Sequence, residues 1–287
     1  MELLLDGGHF YEGARWHDGH FWVSDLYAGQ VLRIASDGTA TVVLQMDDDQ
    51  PSGLGWLPDG SLLVVGMTQR KLWRVGPGQS PVLHADLVPH TGGYANDMVV
   101  DRQGRAFVSN LGFDLFAGAA PATTQLVRVD PDGIAEVVGD RLHFPNGLVV
   151  TADGKTLVVA ETFGGRLTAY TIEADGALTG RRAWATLGRE PSWESVHTML
   201  DTECAPDGCS IDAQDRVWVA DALYARVLCV ADGGEVVDER RPPDGFGAYS
   251  CALGGEDGRS LLICTAPDFS DVARKAKAEA RLYVDRL

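Results

Sequence analysis

One pattern, repeated six times with varied spacing, narrows the possible folds more than any other feature of this chain. Lined up, "EGARWHDGHFWVSD" from Glu12, "SGLGWLPDGSLLVVG" from Ser52, "NDMVVDRQGRAFVSN" from Asn96, "NGLVVTADGKTLVVAE" from Asn146, "DGCSIDAQDRVWVAD" from Asp207 and "SCALGGEDGRSLLIC" from Ser250 share one grammar. A polar residue opens a short apolar run, a turn follows that usually holds Asp-Gly or Gly, and a second apolar run comes next. That is the signature of a β-hairpin. Most copies continue into a third run, such as "GQVLRI", "RKLWRV" and "GRLTAYTI". Units of three or four short strands, recurring at about 40 to 60 residues, fit the radial repetition of a β-propeller. The expected fold is therefore all-β, a six-bladed β-propeller spanning residues 1–287 as a single domain. "MELLLD", ahead of the first copy, is expected to join the last blade and close the ring, which hides a sheet edge that would otherwise invite pairing. A β-sandwich with long insertions is the competing architecture. The one persuasive helical stretch is "SDVARKAKAEARL", read as a short surface helix or loop inside the sixth blade.

In a propeller the innermost strand of each blade begins near the central channel, so the six opening residues should converge. They are Glu12, Ser52, Asn96, Asn146, Asp207 and Ser250, all of which offer oxygen. Such a ring suits a hard divalent cation, and without one it is an expensive set of groups to crowd together. The competing reading is that Asn and Asp ahead of Gly cap turns through local hydrogen bonds. A turn gains nothing from Glu12, and this favours a shared site. At the ends of the second strands Asp25, Asn110, Glu161 and Asp221 form an outer polar ring. They either orient the inner ring from behind or are ordinary strand-end residues.

Composition limits the partners. A formal net charge of −17 argues against nucleic acid, which needs clustered Lys and Arg, and favours cations. No stretch approaches the ~18 apolar residues of a membrane span, and the start has no basic segment followed by an apolar one. A soluble, cytoplasmic protein with a small-molecule substrate and no membrane partner is the expectation, with the oligomeric state unspecified. The five cysteines include no CxxC pair and read as reduced core residues. There is no G-x-S-x-G elbow for a serine hydrolase, and the glycine clusters are turns rather than phosphate cradles. His143 and His197 fall in probable face loops, where proton transfer and an incidental role are both open.

"EGARW" around Glu12, "NDMVVD" from Asn96 to Asp101, "PNG" from Pro145 to Gly147 and "PDGCSID" from Pro206 to Asp212 together resemble the SMP-30/gluconolactonase/luciferin-regenerating family over essentially the whole chain. The resemblance implies a lactone hydrolase with one divalent cation in the channel. Its implied metal ligands are Glu12, Asn146 and Asp207, with Asp207 also the general base and Asn96 binding substrate or a water beside the metal. Oxygen donors suit calcium, magnesium and manganese, with zinc and iron(II) also open. Sugar-lactone members commonly carry an arginine where this chain has Tyr94, so a less polar lactone is expected. Phe113, Phe116, Phe144, Trp193, Tyr224, Phe246 and Tyr249 border the same face, either as pocket walls or as packing under the loops. Two rivals stand beside the lactonase reading: a phosphotriesterase or aryl esterase on the same metal, and a non-catalytic propeller that the metal merely staples.

Overall fold

Each repeat folds as an antiparallel meander whose first hairpin is set by its turn. Gly60 and Gly104 sit at φ +83°, a conformation open to glycine at no steric cost, and Asp215 takes the same place at φ +57°. In blade one the strands run Tyr11–His17, His20–Asp25, Gln30–Ile34 and Ala40–Gln45 from the channel outward. The innermost strands of blades two to six are Pro51–Trp56, Ala95–Val100, Pro145–Val150, Pro206–Ile211 and Gly247–Gly254. Every innermost strand contacts those of the blades before and after it, from Tyr11–His17 round to Gly247–Gly254 and back. The computed structural model, which describes residues 1–287, is thus a ring of six four-stranded sheets, a six-bladed β-propeller.

The core is divided into wedges between blades. Val108 and Val127 of blade three pack back onto Leu63 and Val65 of blade two. Phe107 and Leu126 of the same blade pack forward onto Leu157 and Val159 of blade four. Middle strands are covered on both faces, which is why they read as nearly continuous apolar runs instead of alternating ones. Each such buried side chain contributes about 1.5–3 kcal/mol. Outer strands face solvent on one side, and there Val42, Val82 and Val137 are exposed.

Glu2–Gly8 pairs antiparallel with Ala280–Arg286, from Glu2 opposite Val284 to Gly8 opposite Ala280, and forms the outermost strand of the sixth sheet. The helical stretch is shorter than its sequence suggests. Asp271–Ala276 forms a helix capped by Ser270, whose Oγ accepts from the Ala273 N–H at 3.3 Å. Lys277 then turns extended and "ARLYVDR" becomes a strand, because its alternating residues complete the last blade. A second short helix, Val196–Met199, lies in the loop after blade four. No helix is long and apolar enough to cross a membrane, and all five cysteines are free and buried.

Candidate metal and substrate site

The strand pairing explains how a polar side chain at a strand start comes to face the channel. In blades two to five the register between the first two strands slips just after the opening pair: between Pro51 and Leu54, Ala95 and Met98, Pro145 and Leu148, and Pro206 and Cys209. Blade one slips between Glu12 and Arg15. Such bulges bend the strand and re-aim a side chain. Glu12, Ser52, Asn96, Asn146 and Asp207 all line one cavity of about 350 Å³ at this end of the channel. The glycines that follow them answer a packing demand. A Cβ on Gly147 would lie 2.5 Å from the carbonyl oxygen of Asp207, and one on Gly208 would lie 2.4 Å from Ser250 Oγ. Neighbouring inner strands touch here, so only a residue without a side chain fits.

The sixth position differs from the sequence expectation. Ala248 pairs with Thr265 and Ser250 with Cys264, so the residue inside the slip is Tyr249. Tyr249 lines the cavity and Ser250 does not. Ser250 instead occupies the glycine position, where its Oγ accepts the Ala14 N–H at 3.2 Å and ties blade six to blade one. The innermost strand here has eight residues against six in blades two to five, so counting back from the turn lands one residue too far along. The ring therefore holds five oxygen-bearing residues of the expected set and one aromatic residue.

The two carboxyls of the ring are strained electrostatically. Burial, then the charge of Asp207, then that of Asp97 push Glu12 well above the usual carboxylate range. Burial and the charge of Asp97 do the same to Asp207, with the Asn146 amide and the Gly208 N–H acting in the opposite sense. The third acid, Asp97, is neutralised by Arg15, whose Nη2 lies 2.6 Å from its Oδ1. Glu12 and Asp207 have no cationic partner within the chain, and no Lys, Arg or His lines the cavity. No three His, Cys, Asp or Glu side chains gather as a metal cluster anywhere; the donors here are two carboxylates with neutral amide oxygens. This largely buried, all-oxygen set, with no salt bridge to either carboxyl, fits a hard divalent cation.

Neighbours hold the amides. Asn146 Nδ2 donates to Thr162 Oγ1 at 3.2 Å, and Thr162 Oγ1 donates to the Pro206 carbonyl at 2.7 Å, which leaves the Asn146 carbonyl oxygen for the cavity. Ser52 Oγ donates to Asn96 Oδ1 at 3.3 Å. Sequence reading missed Thr162 and the Arg15–Asp97 pair, since neither stands at an opening position. The only signals were their neighbours: Thr162 follows the strand-end acid Glu161, and Asp97 stands after Asn96 where other blades have glycine.

Asp25, Asn110, Glu161 and Asp221 do not line the cavity and make no hydrogen bond to a side chain of Glu12, Asn146 or Asp207. They act on backbone. Asp25 accepts the N–H of His9 at 3.0 Å, Glu161 that of His143 at 2.7 Å and Asp221 that of Ala205 at 3.0 Å, so each fastens the segment leading into the innermost strand of its own blade. Asn110 holds Gln125 and Thr124 instead. In blade two the equivalent residue is Gly66, and Asp49 reaches into the space from the preceding loop, accepting the Thr68 N–H at 3.0 Å.

Among the aromatic candidates, Phe116, Phe144 and Tyr249 line the cavity; Tyr94, Phe113, Trp193, Tyr224 and Phe246 do not. Tyr94 stacks on Phe116 at 5.4 Å, Phe113 packs on Phe144 at 6.2 Å, and Trp193 donates to the Phe163 carbonyl at 3.1 Å, so these three brace the wall from behind. His143 packs on Trp193 at 4.6 Å; neither His143 nor His197 lines the cavity.

The sequence pattern that defines the SMP-30/Gluconolactonase/LRE-like region matches residues 10–267. A regucalcin from Danio rerio is 27% identical over 185 residues, a match covering 63% of this chain and 57% of that protein. The lactonase drp35 of Staphylococcus epidermidis is 25% identical over 276 residues, covering 93% of this chain and 76% of that one. Among solved structures, a calcium-binding protein, regucalcin, from Agrobacterium tumefaciens shares the fold with a TM-score of 0.76 at 19% identity, covering 98% of this chain and 92% of that one.

Proposed function

We propose that this chain, which belongs to the SMP-30/gluconolactonase/LRE-like family, is a lactone hydrolase that works with one divalent cation. The observation that carries the reading is the pair Glu12 and Asp207, one half-buried and one buried acid without a salt-bridge partner on the floor of an otherwise mainly apolar cavity. The staphylococcal relative is a lactonase, which supports the reaction, and the regucalcin of Agrobacterium tumefaciens is a calcium-binding protein, which supports the cation.

Glu12, Asn146 and Asp207 would hold the cation, with Thr162 fixing the amide of Asn146. When bound, the cation supplies positive charge that polarises the ester carbonyl and steadies the oxyanion. Asp207 takes a proton from the water that attacks the carbonyl carbon. The acyl carbon–oxygen bond of the ring breaks, the departing alkoxide takes up a proton, and the product is a hydroxy acid. Asn96 binds the substrate or the attacking water from the neighbouring blade. The Tyr94 position, occupied by an aromatic residue that braces Phe116, favours a lactone less polar than a sugar lactone. The all-oxygen donors favour calcium, magnesium or manganese.

A pH-indicator assay of sugar, aliphatic and aromatic lactones tests this, run before and after chelation and after return of each cation. Turnover that stops on chelation and returns with a divalent ion is expected. Full activity in metal-free protein overturns the cation's role, and turnover of phosphotriesters with none of any lactone overturns the substrate.

A further inference from the structure

The cavity is divided sharply by chemistry. Glu12, Ser52, Asn96, Asn146, Thr162 and Asp207 supply every polar side chain of its floor. The walls above them are apolar: Tyr249, Phe144, Phe163, Met67 and Leu111 are buried and hydrophobic or aromatic, and Tyr249 is fixed by the Phe10 ring at 4.8 Å. At the mouth, Phe116, Leu200 and Phe269 line the same cavity while remaining 52%, 40% and 54% exposed. These three come from separate loops, inside blade three, after blade four and inside blade six. Exposed large apolar side chains gathered round one opening mark a surface that something apolar covers. No cationic side chain lines the walls, so above the floor the chain offers nothing to pair with a charged substituent, and only the hydroxyls of Tyr27 and Tyr249 could partner those of a sugar ring.

The geometry points to a specific substrate class: an uncharged lactone bearing an alkyl or aryl substituent several carbons long. Its ester would lie on the polar floor while the substituent runs along Tyr249, Phe144 and Phe163 to the collar of Phe116, Leu200 and Phe269. This rests on the hydrolase reading above and goes beyond it, because a cation-bearing floor would serve polar and apolar lactones alike. The walls are what choose between them. A hydroxylated ring of similar size would lose its hydrogen bonds to water on entering and recover few of them.

The test is a chain-length series with the cation-loaded protein. γ- and δ-lactones carrying linear alkyl substituents of increasing length are compared with the unsubstituted rings and with a sugar lactone. The expected kcat/KM rises about threefold to fourfold per methylene until the substituent reaches the collar, and the sugar lactone falls below the unsubstituted ring. The matching alkyl lactams, which are not turned over, read the walls by calorimetry independently of chemistry. Phe116→Ser and Leu200→Ser, at exposed positions where folding is tolerant, should flatten the gain for the longest members of both series. Lactone turnover that is flat with chain length, or that favours the sugar lactone, overturns this proposal and leaves the hydrolase reading intact. Lactam affinity that grows with chain length while no lactone is turned over does the reverse.

Discussion

Blades four and five differ from blade six at the same three structural positions, and the difference shows one way a polar anchor is held. In blade four Asn146 faces the cavity, Glu161 ends the second strand, and Arg166 lies opposite Glu161 on the third. Blade five repeats this with Asp207, Asp221 and Arg226. Arg166 Nε and Arg226 Nε each donate to their acid at 2.8 Å, and that acid in turn holds the N–H of the segment leading to the anchor. Blade six has Tyr249 at the anchor and Thr265 at the strand end, whose hydroxyl donates only to the Arg281 carbonyl at 2.9 Å. An aromatic ring is placed by the volume around it. A small polar anchor has no such guide, and in blades four and five an ion pair with a buried acid sets the backbone from which it projects.

The largest expected effect breaks the comparison at the anchor itself. Asp207→Asn should lower lactone turnover by about 10²- to 10⁴-fold, the usual worth of a general base, with unchanged circular dichroism. Unchanged turnover would remove Asp207 as the base. Next comes the clasp. Glu161→Gln leaves Arg166 without its buried partner and should cost about 3 kcal/mol in urea unfolding, whereas Thr265→Ala in blade six, losing one neutral hydrogen bond, should cost about 1 kcal/mol. Equal losses would mean that the two blade ends are built alike after all.

Acid sharpens the same contrast. Burial alone would raise the Glu161 carboxyl, but hydrogen bonds from His143, Arg166 and Thr168 outweigh it and hold the group far below the usual carboxylate range. A folded-state value below the unfolded one, about 4.3 for Glu, stabilises the protein fully above that unfolded value. That contribution is lost as pH falls through the folded value. The wild-type stability curve should therefore drop steeply below about pH 4.3, and the curve of Glu161→Gln should drop less over the same window. Parallel curves would show that the pair contributes nothing. The smallest effect is expected at Tyr249→Phe, since the Phe10 contact at 4.8 Å is made by the ring. Stability within about 1 kcal/mol and little change in lactone affinity are expected by urea titration and calorimetry.

Much of this architecture is legible in the sequence because a repeat states the same instruction six times. The apolar middle runs return at every blade and the Asp-Gly turn at most of them, and the closing strand "ELLLDGG" is legible as the unpaired strand left over at the start. Glu12, Ser52, Asn96, Asn146 and Asp207 could be gathered from positions far apart because they open the same run. Tyr249 could not, because a register slip moves the inward position by one residue and leaves no mark in composition. Thr162 was equally hidden, since its hydroxyl serves Asn146 in its own blade and Pro206 in the next. The helix at Asp271–Ala276 ended early because "ARLYVDR" is worth more as the strand that pairs with both the N-terminal strand and Ser260–Ala266.

What the sequence determined by itself was therefore periodic and local: the number of blades, the order of strands within each, and the oxygen chemistry at most of the inner starts. Only the tertiary structure decided which residue of blade six faces the channel, which aromatic residues form the wall and which brace it, and that Glu12 and Asp207 stand together without a cation of the chain's own. The physical reason is that periodicity is carried by the backbone and repeats along the chain. A cavity is bounded by side chains from different blades, and one bulge or one reach across a wedge changes its surface without changing any repeat.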